Sequence, residues 1–416
     1  MSGPPSRRST RLHDIIIEAG LIIILVFTPL ARGTVKLWSI TPVEIITLLI
    51  FCVWLSKLNH IKRTPLDLPI FLSVTLAIVS TVFSVYRHDS LLELYRWLTL
   101  VAVYYIVANN VNTRQKIMRL VAVIMGVGAF ISFFGLIQYL GGIPHPYWYP
   151  PNFLASTYVN HNHFAGYLEM CMPLAMGLLF ANIEKDRKVL IGFLAILMLI
   201  AFVFSMSRGA WISFSLSLLV MGILISSKKL LRKRIWIPIF CAVIIAFILT
   251  QFNIEPVIGR ARTITGGAGV DTMRLKIWQG AVNLIKAYPL TGSGPGTFVH
   301  LLPKYQPVLP PNIRPVYAHN DYLHFTAELG LFVLPLIIWL IAVILSKGIG
   351  IYNNTQSSFK RAVALGATVG VISIMFHSFV DFNLHITANA VLFSVLAGII
   401  MALKTSKNGD EAANFC

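Results

Sequence analysis

One pattern constrains this chain more than any other. Apolar runs of roughly 17 to 25 residues recur along its length, each long enough to cross a hydrocarbon core as a helix. They fall at about 15–31, 37–56, 68–86, 91–109, 117–140, 162–182, 189–206, 209–226, 235–251, 321–345, 361–380 and 384–403. Clusters of Lys and Arg occupy every second gap: Arg7, Arg8, Arg11; Lys57, Lys62, Arg63; Arg114, Lys116, Arg119; Lys185, Arg187, Lys188; Lys228 to Arg234; Lys347, Lys360, Arg361; Lys404, Lys407. That alternation is the positive-inside bias of a multi-pass protein, and removing any one run would invert every later assignment. The expected fold class is therefore an all-α integral membrane protein of about twelve transmembrane helices. A cytoplasmic tail spans 1–14, the first nine helices 15–251, a long extracytoplasmic loop with short helices 252–320, the last three helices 321–403, and a cytoplasmic tail 404–416.

Composition agrees. Hydrophobic residues make up 56% of the chain and charged residues 12%, against about 25% charged in soluble proteins. The net charge of +18 does not point to nucleic acid, because the basic residues sit in short clusters between apolar runs and not on one folded face. The first run follows Arg7, Arg8 and Arg11 without a small-x-small cleavage site, so it reads as an anchor that stays. Cys52, Cys171 and Cys241 lie inside apolar runs and imply no disulfide framework.

Chemistry-bearing residues gather on the side opposite the basic clusters. Arg208 begins a run in Ser207-Arg208-Gly209-Ala210-Trp211, while Arg260, Arg262 and Arg274 lie in the long loop. Several fixed cations near an imidazole point to anion binding with proton transfer, since the guanidinium fork donates two hydrogen bonds to a phosphate and stays charged. Anchoring at lipid headgroups is the competing reading for Arg208. His319 precedes the capping pair Asn320-Asp321, at a helix mouth where the dipole favours negative charge. Asp321, His324 and Glu328, at spacings of three and four, share a helix face. Asn160-His161-Asn162-His163 offers donors and acceptors suited to a sugar or headgroup. The two-residue spacing of His161 and His163 is not that of a zinc helix, so neither metal nor cofactor is expected. Gly292 to Gly296 lacks the Lys-Ser or Lys-Thr of a phosphate loop and reads as a turn. His377, Asp381, Asn383 and His385 surround the last outside turn and either line the same cavity or satisfy one another. Within the loop, Leu275, Trp278, Val282 and Ile285 predict an amphipathic helix.

In this order the motifs resemble those of the O-antigen ligase and O-antigen polymerase superfamily of bacterial membrane glycosyltransferases. The resemblance rests on Ser207 to Trp211, on Arg274 with Trp278 followed by Tyr288-Pro289-Leu290-Thr291-Gly292-Ser293-Gly294, and on Ala318 to Leu323 with Glu328-Leu329-Gly330. It implies inverting glycosyl transfer at the extracytoplasmic face of the bacterial inner membrane, from a polyprenyl diphosphate-linked oligosaccharide to a glycan, lipid A core or protein acceptor, without metal or nucleotide sugar. By motif match Arg208 and Arg274 hold the donor diphosphate and His319 is the catalytic histidine. Arg260 and Arg262 are further candidate cations; Asp321, His324, Glu328, His161 and His163 are candidate supporting or sugar-binding groups. The Pro and aromatic-rich stretch from Pro144 to Pro151 resembles exopolysaccharide-cluster polymerases. Polysaccharide assembly proteins are expected partners, alongside membrane lipid. A transporter or flippase, or an inactive scaffold, are the competing classes. The enzymatic reading requires His319 to lie within about 15 Å of Arg208 or Arg274, the reach of one diphosphate and sugar.

Overall fold

The computed structural model describes residues 7–57, 61–146, 153–227, 258–259, 272–306 and 315–403, all helix and connecting turn with no strand among them. The helices are α1 (Arg7–Leu30), α2 (Leu37–Lys57), α3 (Asp67–Val82), α4 (Arg87–Asn110), α5 (Arg114–Leu140), α6 (His161–Leu179), α7 (Lys185–Phe204), α8 (Arg208–Ser226), α9 (Thr272–Ala287), α10 (Phe298–Tyr305), α11 (Asp321–Leu329), α12 (Val333–Asn354), α13 (Ser358–His377) and α14 (Thr387–Ala402), with a 3-10 turn at Asn383–His385. Among the described residues eight are long and apolar enough to cross a membrane, namely α1, α2, α4, α5, α7, α8, α12 and α13; α3 and α14 are shorter apolar helices. The run expected at 235–251 lies outside the described residues, as do Arg260, Arg262 and the tail from 404.

Large apolar side chains face outward, with Phe71, Leu219, Ile223 and Ile338 each about two-thirds exposed. A soluble protein seldom presents such a surface, whereas a bilayer is its natural solvent. At the centre lie α6, α13 and α14, whose residues are almost all buried. Because lipid gives helices little hydrophobic reason to associate, small residues set the contact. A Cβ at Gly366 of α13 would lie 2.6 Å from the Leu174 Cα of α6, and one at Gly177 of α6 would lie 2.4 Å from Ala362 O.

Polar contacts sort the helix ends into two levels. At one end Lys57 and Lys116 pair with Asp14, Arg119 pairs with Glu18, Lys62 reaches Met401 O, and Tyr352 reaches Leu224 O. The basic clusters of the α1 start, the α2 end and the α5 start thus share one level, as their alternation in sequence requires. At the other end the starts of α6, α8 and α11 meet the turn after α13.

Three expectations change. The helix at the N-terminus begins at Arg7 and not near residue 15, the extra turns carrying Asp14 to its lysines. The run at 321–345 is two helices. Gly330 takes φ +82, a Cβ there would be 2.2 Å from Leu290 O, and Leu331 N–H donates to Pro289 O, so the loop from 289 to 294 seats itself in the break. In α9 the buried face is Ile277, Ala281 and Leu284, packed on Phe298, Leu302 and Ala318, while Leu275 and Val282 are exposed. Spacing identified the helix but not which stripe its neighbours cover.

Candidate functional site

The turn that follows α13 places a single carboxylate where several elements converge. Asp381 is 1% exposed, and its Oδ1 accepts the Phe382 N–H at 2.9 Å. His163 Nε2, on the first turn of α6, lies 3.6 Å from that oxygen, and His319 Nδ1 lies 3.5 Å from it. Arg274 Nη2, on the first turn of α9, is 4.0 Å from Oδ2. Burial alone would raise the Asp381 carboxyl, but the two imidazoles beside it more than offset that and hold it well below the usual carboxylate range. His163 Nε2, His319 Nδ1 and Asp381 Oδ2 are all buried without a hydrogen-bond partner. Native interiors rarely leave such atoms unpaired, so this is a polar cluster with hydrogen-bonding capacity in reserve.

Backbone strain marks the same place. His319 sits at φ +51, Met206 just ahead of Ser207-Arg208 at +57, and Ser156 ahead of the α6 start at +54. Side chains rarely accept this left-handed region, and when they do the surrounding structure imposes it, commonly where groups must be aimed.

The helix starts supply positive ends. Asn160 caps α6 by accepting the Asn162 N–H, and Ser207 caps α8 by accepting the Ala210 N–H. Arg208 is the first residue of α8, half-buried, and the next residue presses on the end of α13: a Cβ on Gly209 would lie 3.2 Å from the His377 ring. That ring is held by Glu169 Oε1 at 2.8 Å, with Ser373 Oγ donating to Oε2, a buried set joining α6 to α13. In the loop, Trp278 Nε1 donates to Ala318 O at 2.9 Å, fixing the Arg274 helix to the residue before His319. The starts of α6, α8, α9 and α11 therefore bring partial positive charge, Arg208, Arg274, His163 and His319 to one end of the bundle, a setting for an anion.

A second polar cluster lies on the other side of the Phe382 ring. His163 and His319 approach Phe382 edge-on, at centroid separations of 4.5 and 4.8 Å, and Tyr317 stacks on it at 4.4 Å. Beyond Tyr317, Asp321 Oδ1 meets His385 Nδ1 at 2.6 Å, while its Oδ2 accepts from Ser378 Oγ and Leu384 N. Burial raises the Asp321 carboxyl to about 7 against the pull of those donors. Burial, with His324 and Arg96 nearby, holds the His385 imidazole well below its ordinary value. His324 Nδ1 accepts the Ala318 N–H, its Nε2 lies 3.2 Å from Glu328 Oε1, and that oxygen also accepts the Phe298 N–H. Ligand atoms of His324, Glu328 and His385 come within 4.8 Å of one another. With Nδ1 of His324 accepting, its Nε2 carries the proton toward Glu328.

The sequence candidates divide accordingly. His319, His163 and Arg274 meet at Asp381. Asp321, His324 and Glu328 do share a face, but turn it to the second cluster. The His161 ring stacks on Phe153 at 4.3 Å, with Nδ1 2.6 Å from Ser205 O. Two participants were missed. Asp381 reads in sequence as one of several groups around a turn, yet it is the hub. Arg96, which binds Glu93 and the His385 carbonyl, carried a signal in its place within an apolar run three residues after a glutamate.

Comparison with known families adds one finding. Residues 193–340, from within α7 to within α12 and including Arg208, Arg274 and His319, match the family model described as O-antigen ligase. No curated protein matches the chain.

Proposed function

From membership of the O-antigen ligase and polymerase superfamily, which the match over residues 193–340 supports, we propose that this chain transfers glycan from a polyprenyl diphosphate-linked donor to an acceptor hydroxyl at the extracytoplasmic face of the bacterial inner membrane. The observation that carries the reading is the position of His319 and Arg274 against opposite oxygens of one carboxylate, well inside the span of one diphosphate and sugar.

In this mechanism Asp381, 3.5 Å from His319 Nδ1, closes on the Nδ1–H side as substrate binds, leaving Nε2 to take the acceptor's hydroxyl proton. The acceptor oxygen attacks the anomeric carbon from the face opposite the diphosphate. The carbon–oxygen bond to the diphosphate breaks, the electron pair leaves with it, and the anomeric centre inverts. Arg274, Arg208 and the α6, α8 and α9 starts meet the charge developing on the leaving group. His163 shares Asp381 and lies where a sugar hydroxyl or phosphate oxygen would satisfy its bare nitrogen. No step requires a metal or a nucleotide sugar.

A ligase and a polymerase differ in the acceptor, not in this machinery. A flippase also predicts broken helices, and the break at Gly330 is one. But the unpaired atoms of His163, His319 and Asp381 lie together at helix ends, as suits chemistry on a lipid-linked headgroup.

The test is a proteoliposome assay with lipid-linked oligosaccharide from the native host. Elongated lipid-linked product that persists with chelator and disappears in His319→Ala and Arg274→Ala supports a polymerase; transfer to lipid A core or protein supports a ligase. Movement of unaltered substrate across the bilayer defeats the reading.

A further inference from the structure

Beside the second cluster is a pocket of about 240 Å³ between α2, α4, the Gly296 turn and Tyr317. Its chemistry is unlike that of the Asp381 cluster. Glu44, Asp89, Glu93 and Glu328 all line it, against one guanidinium, Arg96. That guanidinium is committed, since Arg96 binds the Glu93 carboxylate and the His385 carbonyl. Asp89, at the rim, meets His300 Nε2 at 2.6 Å. Arg96 is 5% exposed, and its Nε has no acceptor. A buried donor left this way is destabilising, an open demand for a neutral oxygen. Tyr317 offers an aromatic edge to the pocket, and its ring stacks on Phe382, whose rim touches His319.

We infer that this pocket binds a sugar of the acceptor glycan, and that its carboxylates select an uncharged or amino-bearing sugar and reject uronate or phosphate. The inference rests on the glycosyl-transfer reading. A sugar's hydroxyls donate to Glu44, Asp89 and Glu93, and a ring or hydroxyl oxygen accepts from Arg96 Nε. An ammonium gains from carboxylates in excess of free cations. A carboxylated or phosphorylated sugar faces the same excess with no unoccupied cation to meet it. The donor's diphosphate belongs on the other side of the Tyr317–Phe382 pair, with Arg274 and the helix starts. The two charges of substrate are thus sorted by an aromatic wall, and an acceptor seated in the pocket passes that wall to present its hydroxyl at His319.

The test measures binding without turnover, on the full chain in nanodiscs lacking donor. Three probes are compared by calorimetry: trimers of glucose, of glucosamine and of galacturonic acid. The glucosamine trimer should bind at least about tenfold more tightly than the galacturonate trimer, or about 1.4 kcal/mol, with glucose between them. Asp89→Asn, at the half-open rim, should shrink that ratio severalfold and salt should weaken it; Glu93→Gln should do the same if it folds, and Arg274→Ala should leave the ratio unchanged. Equal affinity for all three, binding of none, or a ratio indifferent to Asp89→Asn overturns the inference. Because the readout needs no catalysis, it separates from the function proposal: sugar selectivity without any glycosyl transfer would defeat that proposal and leave the pocket standing.

Discussion

Two buried polar clusters flank the Phe382 ring, and they differ in completeness. In one, Asp321, His385, His324 and Glu328 are joined to each other and to the backbone at Leu384, Ala318 and Phe298. In the other, His163, His319 and Asp381 each keep a buried atom without a partner. Similar side chains at similar depth thus serve opposite purposes. A saturated network resists change and fixes the backbone; an unsaturated one holds bonds in reserve for a substrate. The Asp321 cluster also carries the Asp381 cluster, since the Ala318 N–H that donates to His324 belongs to the residue preceding His319.

Mutation should separate the two clusters, beginning with the largest effect. His319→Ala should lower glycosyl transfer by about 10³-fold, the scale of a lost general base, with melting temperature nearly unchanged. Equal loss of stability would make His319 part of the frame. Glu328→Ala should show the reverse, costing about 3–5 kcal/mol of stability because it strands buried partners; a variant that melts like wild type would show that the second cluster is not the frame. Asp381→Asn should fall between, lowering kcat about 10²-fold by loosening His319. Its donor KM should not rise, because an anion beside Arg274 is removed. A raised KM with normal kcat would place Asp381 in donor binding instead.

The smallest effect concerns pH. Asp321, with its carboxyl raised to about 7, would by itself favour the folded state below about pH 4 and lose that contribution as pH rises through 7. His385, depressed on folding, pulls the other way: below its unfolded value of about 6.5 the unfolded chain binds the extra proton, so stability falls as pH falls. Between about pH 4 and 6.5 the folded pair holds one proton and the unfolded pair one, and the two contributions cancel. Asp321→Asn leaves the His385 slope alone. Its melting temperature relative to wild type should climb from about pH 4 until about pH 7, where Asp321 loses its proton in the folded wild type, and then level. Parallel curves would show that the two groups do not share a proton.

Some of this was written in local pattern. Asn320 before Asp321 predicted the helix start that the Leu323 N–H confirms by donating to the Asn320 side chain. Asp321, His324 and Glu328 fell on one face as their spacing required. The split at Gly330 was not legible, because it depends on the loop from 289 to 294 packing there. Nor was the centrality of Asp381, whose neighbours come from positions 163, 274 and 319.

What the sequence determined by itself is the solvent and the layering. Apolar runs of bilayer length must become helices, because lipid offers no partner for free backbone groups, and the basic clusters assign their ends to two levels. Capping residues fix where those helices begin, because the unpaired N–H groups at a start need an acceptor from the adjoining residue. Only the tertiary structure decided which starts face one another. Convergence at a carboxylate is a relation among residues far apart in the chain, set by how glycine-lined helices approach and by which side chains an aromatic ring divides. The sequence holds both imidazoles and both arginines; the packing of α6, α9 and α13 brings His163, Arg274 and His319 to Asp381.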